Sequence, residues 1–169
     1  MPNGPLAHVC FLVKDLEQSI ERWTTILSVM DPTQLEQPIV RQHWESGDDV
    51  MDSATFVNPN GCEIQLLSPV GSDGPVARRL AKYGEGVHHL CFTHPNLREA
   101  VNELENKGIS LTGTELSTDE SMPWQAWTFI APESGSGLFI ELAYPYEPVD
   151  GEWTPGYDVS STGPDASAQ

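Results

Sequence analysis

Between residues 16 and 27 the apolar side chains fall at Leu16, Ile20, Trp23 and Ile26 or Leu27, the spacing of a helix with one buried face. Asp15 stands where a side chain caps a first turn, so the pattern predicts a helix from about Asp15 to Leu27. An apolar run at 6–13 ahead of it reads as a strand. Behind it, strands are predicted near 38–45, 51–57 and 62–68, the last two joined by the hairpin turn "NPNG". The same order then recurs: a strand at 87–93, a helix from about Asn96 to Lys107, and strands near 110–115, 124–131 and 137–143. Between the two sets, "VARRLAKYG" reads as a short helix. After Pro145 the pattern lapses into Pro, Gly, Ser and Asp, and the end of this tail is expected to be disordered, with Trp153 and Tyr157 placed to dock on the body.

The recurrence is a repeat. Shifted by 81 positions, "HVCFLVKDLEQSIERW" falls on "HLCFTHPNLREAVNEL", aligning His8 with His89, Cys10 with Cys91 and Phe11 with Phe92. Further on, "IQLLSP" (64–69) falls on "IELAYP" (140–145), aligning Gln65 with Glu141. The organisation is therefore a first βαβββ module over 5–70, a connecting helix within 71–86, a second βαβββ module over 87–146, and the tail 147–169. The fold class is α+β.

Composition narrows the function. Eight basic against 25 acidic residues give a net charge of -17, which argues against nucleic acid, because phosphate binding needs clustered Lys and Arg. No apolar run is long enough to span a membrane, and "MPNGPLAHVCF" lacks the basic and apolar regions of a secretory signal. Three cysteines suit a reducing cytoplasm better than a disulfide scaffold, so a cytoplasmic location is expected. Paired modules with apolar strand faces favour a homodimer.

The candidate chemistry starts from "GEGVHHLCF" (84–92). Neighbouring strand residues point to opposite faces, so at most one of His88 and His89 looks into a given site. The repeat selects His89, whose counterpart is His8, whereas His88 aligns with Ala7. His8 and Gln65 from one half, with His89 and Glu141 from the other, supply two imidazoles, a carboxamide oxygen and a carboxylate. Packing of the halves about a pseudo-twofold axis would bring them together. Mixed nitrogen and oxygen donors suit a divalent ion such as Co2+, Ni2+, Mn2+, Zn2+ or Fe2+. Four ligands leave positions for substrate, and one anionic ligand leaves the ion a Lewis acid.

These residues resemble the vicinal oxygen chelate (glyoxalase/bleomycin resistance) superfamily, whose paired βαβββ modules form a metal-holding β-sheet cup. Within it, "IQLLSPVGSDGPVARRLAKYGEGVHHLCF", "NLREAVNELENKGISL" and "APESGSGLFIELAYP" are similar to the methylmalonyl-CoA epimerase family over about residues 6–145. The resemblance implies His8, Gln65, His89 and Glu141 as metal ligands, with His88 supporting them or packing. It also implies an isomerase that moves a proton next to a thioester carbonyl, with an acyl-CoA as the substrate. Such a reaction needs an acid/base group on each side of the carbon. Glu141 is one. The family's other is a Glu on the third strand, and "SGDDVMDSATFVN" holds none.

Hairpin arithmetic offers a substitute. An even loop at 58–61 would set Gln65 opposite Ala54 or Phe56 and place Asp52 on the face of Gln65, with Asp48 and Asp49 as rivals in the turn. Cys10 and Cys91 share the strand faces of His8 and His89 and could border the site, but small buried filler is the expected role. His43, Trp44 and His94 are candidate substrate contacts or structural residues. Arg78, Arg79 and Lys82 could hold CoA phosphates, and Trp124 and Trp127 could reshape the pocket. Three other readings stay open: a glyoxalase-type lyase, an iron dioxygenase using His8, His89 and Glu141, and a non-catalytic binding protein. Gln65 weighs against the dioxygenase, because a fourth protein ligand closes a position that oxygen chemistry needs.

Overall fold

The computed structural model describes residues 6–160. Ten strands and three α-helices give an α+β fold: β1 (Leu6–Leu12), α1 (Leu16–Met30), β2 (Val40–Ser46), β3 (Asp49–Phe56), β4 (Glu63–Pro69), α2 (Pro75–Tyr83), β5 (Gly86–Thr93), α3 (Leu97–Asn106), β6 (Ser117–Asp119), β7 (Met122–Ile130), β8 (Phe139–Ala143), β9 (Tyr146–Val149) and β10 (Glu152–Pro155). The chain forms two compact units: residues 8–88 with 148–152, and, among the described residues, 6–7, 89–147 and 153–160.

In the first unit the strand order is β2-β3-β4-β1, with β1 parallel to β4 and both neighbouring hairpins antiparallel. Asp15 caps α1 as expected, accepting the Gln18 amide at 2.9 Å. The helix runs one turn past Leu27, because the Asp31 amide closes onto the Leu27 carbonyl before Pro32 removes the next donor. Ile20 and Leu27 of α1 pack on Val13, Ala54, Phe56 and Leu66, which occupy one side of the strands. Phe56 is fully buried, and truncating it to Ala would cost about 3–5 kcal/mol.

α2 covers part of the other side. Its Leu80 and Val76 pack against Cys10, Leu12, Leu67 and Met51. The Asp49 carboxylate accepts the Val76 amide at 2.8 Å, supplying the cap that Gly74 cannot. Only glycine fits at 74, since a Cβ there would meet the Asp48 carbonyl oxygen at 2.8 Å. Gly84, at φ 77°, then turns the chain out of the helix.

In the second unit the order β5-β8-β7-β6 repeats the plan, with β5 parallel to β8. Leu97 and Val101 of α3 pack against Ala126 and Tyr144. The strand expected at 110–115 is not one. Leu111 makes a single bridge to Ile130, and the segment then leaves β7 through Gly113 before pairing resumes at β6. The tail is more ordered than its composition suggests. β9 and β10 form a hairpin, Trp153 packs edge-on to Tyr146 with ring centroids 4.7 Å apart, and Tyr157 stacks on Tyr144 at 5.1 Å. The expected disorder concerns its last residues, 161–169, which lie outside the described residues.

Candidate functional site

Each unit contributes one pair of candidate ligands, a buried His with a partly buried Gln or Glu, and the two pairs are built alike. In the first, Cys10 of β1 lies opposite Gln65 of β4, which places His8, two residues earlier, diagonally across from Gln65 on the same face. In the second, Cys91 of β5 lies opposite Glu141 of β8, and His89 takes the same diagonal. There the His89 Nε2 is 2.9 Å from Glu141 Oε2, and the two side chains are only 5% and 15% exposed. His8 is equally buried.

The surroundings of the pairs differ. The Gln65 Nε2 donates to the Thr55 hydroxyl at 3.4 Å, which leaves the carboxamide oxygen as its remaining donor to a cation. At the matching place in the second unit stands Phe129, opposite Glu141 and edge-on to the His89 ring with centroids 5.5 Å apart. Phe129 meets Phe139 at 6.1 Å in turn, and Trp127 continues the same face of β7. One pair thus has a polar flank and the other an aromatic one. Cys10 and Cys91 are fully buried between the ligands, as expected of filler. His88 is also buried, with a ring nitrogen within 4.8 Å of the Cys10 sulfur. All three cysteines are free.

The register corrects the expectation for Asp52. Gln65 lies opposite Thr55, not Ala54 or Phe56, because the chain between the paired strands is one residue off the even count. Asp52 therefore projects from the face opposite Gln65. There it takes the His43 Nδ1 at 2.7 Å, and His43 Nε2 also approaches Glu45 at 3.5 Å. The two carboxylates hold the imidazole above its usual pKa, with the Asp52 hydrogen bond the larger cause. Asp49 shares the Gln65 face, but its carboxylate is engaged by α2, and it lies six residues, roughly 20 Å, along β3 from Thr55.

The register instead reveals a carboxylate that the sequence reading passed over. Glu63 lies directly opposite His8, on the face of His8 and Gln65, and is 5% exposed. A buried acid in a strand is uncommon enough to mark a site. Its signal was available in the period-two spacing from Gln65 within the strand expected at 62–68.

Of the remaining candidates, Trp44 shares the Gln65 face and donates its indole N–H to Ser53 at 2.9 Å. His94 accepts the Asn96 amide at the head of α3, a local turn contact. The Trp124 carbonyl accepts the Tyr157 hydroxyl, so this part of β7 is tied to the tail. Among the described residues no helix is long and apolar enough to cross a membrane.

Paired βαβββ modules with a His and a Gln or Glu on matching strands define a class. The chain belongs to the Glyoxalase/Bleomycin resistance protein/Dioxygenase superfamily, whose profile matches residues 7–124. Within it, the chain is 30% identical over 142 residues to the mitochondrial methylmalonyl-CoA epimerase of Bos taurus, covering 82% of this chain and 73% of that protein. Its fold matches the crystal structure of methylmalonyl-CoA epimerase from Mycobacterium tuberculosis with a TM-score of 0.67 and 24% identity, over 85% of this chain and 89% of that one. It also matches a Streptomyces coelicolor methylmalonyl-CoA epimerase variant in complex with 2-nitronate-propionyl-CoA, with a TM-score of 0.65 and 20% identity, over 84% of this chain and 97% of that one.

Proposed function

We propose that this protein is a metal-dependent epimerase that moves the proton beside the thioester carbonyl of a 2-substituted acyl-CoA, of the methylmalonyl-CoA type. The observation that carries the reading is the matched diagonal register of His8 with Gln65 and of His89 with Glu141, the second pair closed to 2.9 Å with little solvent exposure. His8, Gln65, His89 and Glu141 would hold one divalent ion between them, drawn from one chain or from two. The donor set fits Co2+, Ni2+, Mn2+, Zn2+ or Fe2+, since it offers two neutral nitrogens, one neutral oxygen and one anionic oxygen. When bound, such an ion supplies Lewis acidity to the thioester carbonyl oxygen and so raises the acidity of the adjacent C–H.

The rest falls to the chain's own groups. Glu141 takes or returns the proton on one side of the α-carbon, and Glu63 is the best-placed carboxylate for the other. Glu63 is buried and the Glu141 side chain only 15% exposed, which limits exchange of the proton with bulk water. Thr55 fixes the Gln65 amide nitrogen so that its oxygen turns to the site. Phe129 and Phe139 exclude water from the Glu141 side.

The test is metal content by mass spectrometry on untagged protein, wild type and His89→Ala, followed by α-proton exchange on methylmalonyl-CoA in D2O. About one divalent ion per chain, absent from the variant, with exchange in the wild type alone, is the expected result. A wild type that refuses added Co2+ and exchanges no proton would overturn the reading.

A further inference from the structure

The repeat that relates the two modules also shows where the second is underfilled. At the offset of 81, Phe92 stands for Phe11, His94 for Val13, Leu97 for Leu16, Leu104 for Trp23 and Gly108 for Leu27. In the first unit all five side chains belong to or pack against one core under α1. The Trp23 indole stands on the Phe11 ring there, with centroids 5.0 Å apart. The second unit keeps only two of the five residues. Leu104 replaces the indole and His94 is exposed. α3 ends at Asn106, so Gly108, at φ 83°, turns the chain away where α1 still carries Leu27.

The result is a cavity of about 360 Å³ beside α3. Its apolar walls are Phe92, Leu97, Ala100, Leu104 and Leu142, with Phe92 opposite Leu142 in the β5–β8 register. These two alternate with Cys91 and Glu141, so the cavity lies on the sheet face opposite the candidate ligands. The volume falls within the roughly 300–1,000 Å³ of small-molecule sites, and a dry apolar cavity takes up a ring-sized guest.

Three polar side chains complete the lining: His94, Glu103 and Lys107. The Lys107 ammonium meets the Glu103 carboxylate at 2.5 Å, one turn apart on α3. His94 accepts the Asn96 amide at Nδ1 over 3.1 Å, so in the neutral ring Nε2 carries the proton and donates. The cavity therefore has an apolar floor with a carboxylate, an ammonium and an imidazole N–H around it.

We propose that this cavity binds an aromatic α-amino acid with a side chain of indole size. The first module supplies the argument for the ring, since an indole stands on the phenylalanine at the corresponding place. Charge complementarity supplies the rest. A carboxylate beside an ammonium matches a ligand that carries the same pair reversed, its ammonium on Glu103 and its carboxylate on Lys107 and His94. A zwitterion also escapes the repulsion that a chain of net charge -17 exerts on free anions. The site stands apart from the epimerase reading, because it uses none of the proposed ligands or acids.

The experiment measures Tm by calorimetry and contact by saturation-transfer NMR, with L-tryptophan, indole and glycine as probes. L-Tryptophan should raise the Tm of wild type with concentration and show transfer at its ring protons, and glycine should do neither. Indole, lacking both charges, should bind roughly tenfold more weakly. Leu104→Trp fills the cavity with the first module's own residue, so it should raise Tm by a few degrees and abolish the response to L-tryptophan. The double variant Glu103→Gln, Lys107→Gln alters only an exposed pair, so it should fold and bind L-tryptophan no better than indole. It decides the matter if Leu104→Trp does not fold. A wild type indifferent to L-tryptophan, an unchanged response in Leu104→Trp, or a double variant that still prefers L-tryptophan would overturn the proposal. A response that fades as protein concentration rises would place a second copy of the chain in the cavity and overturn it as well.

Discussion

Replacing Glu63 by Gln keeps the size of the side chain and removes its capacity to carry a proton. Positioned acid/base groups typically contribute about 10²–10⁴ in rate, or roughly 3–5 kcal/mol of barrier. Glu63→Gln should lose exchange within that range. Glu63 is 5% exposed, so a buried partner left unsatisfied would cost about 1–3 kcal/mol of stability, enough to lower Tm by several degrees without unfolding the protein. The comparison is Asp52→Asn, on the opposite face in a half-exposed contact with His43, which should leave exchange intact. The assay is deuterium incorporation at the α-carbon of methylmalonyl-CoA in D2O, read by mass spectrometry, with Co2+ content measured on the same samples. Loss of exchange with metal retained assigns Glu63 to proton transfer, whereas loss of both would make it a ligand. Exchange by Glu63→Gln near the wild-type rate, or a comparable loss in Asp52→Asn, would refute the register argument.

Other outcomes follow from the same contacts. Thr55→Val removes the acceptor for the Gln65 amide and should weaken Co2+ binding in a spectroscopic titration, while Thr55→Ser restores it; equal affinity in all three would show that Thr55 does not orient Gln65. Tyr157→Phe deletes the hydroxyl that bonds the Trp124 carbonyl and should cost about 1 kcal/mol, a Tm lower by about 2–4 °C in a calorimetric scan. The Tyr157 hydroxyl is itself pushed up to about 12 by burial, so a spectrophotometric titration should find one tyrosine ionising well after the exposed ones. His43 is held above its ordinary value by Asp52, so its contribution to stability is full below about pH 6.5 and is lost as pH rises through the raised folded pKa. Asp52→Asn should flatten that part of the pH–stability curve, as read from urea midpoints.

Much of the architecture was legible in the chain. Helical spacing located α1 and α3, and "NPNG" located the β3–β4 turn. The internal repeat selected His89 over His88 and paired Gln65 with Glu141. Local order in the tail was less legible. Pro, Gly and Asp suggest weak structure, yet Tyr146, Trp153 and Tyr157 anchor a hairpin through ring contacts that composition does not register. The segment at 110–115 failed for the opposite reason, since it holds the place of a strand in the repeat but only one bridge to β7 formed.

What the sequence determined by itself was the set of chemistries and the repeat that relates them, because both are carried by residue identity and spacing. The acid that accompanies Gln65 was decided only by tertiary structure. Side chains alternate with period two, so one residue in the count of the β3–β4 connection exchanges the faces of a whole strand. That single step sent Asp52 to the helix side with His43. The pairing of β1 with β4, between segments some fifty residues apart in the chain, brought Glu63 opposite His8 instead.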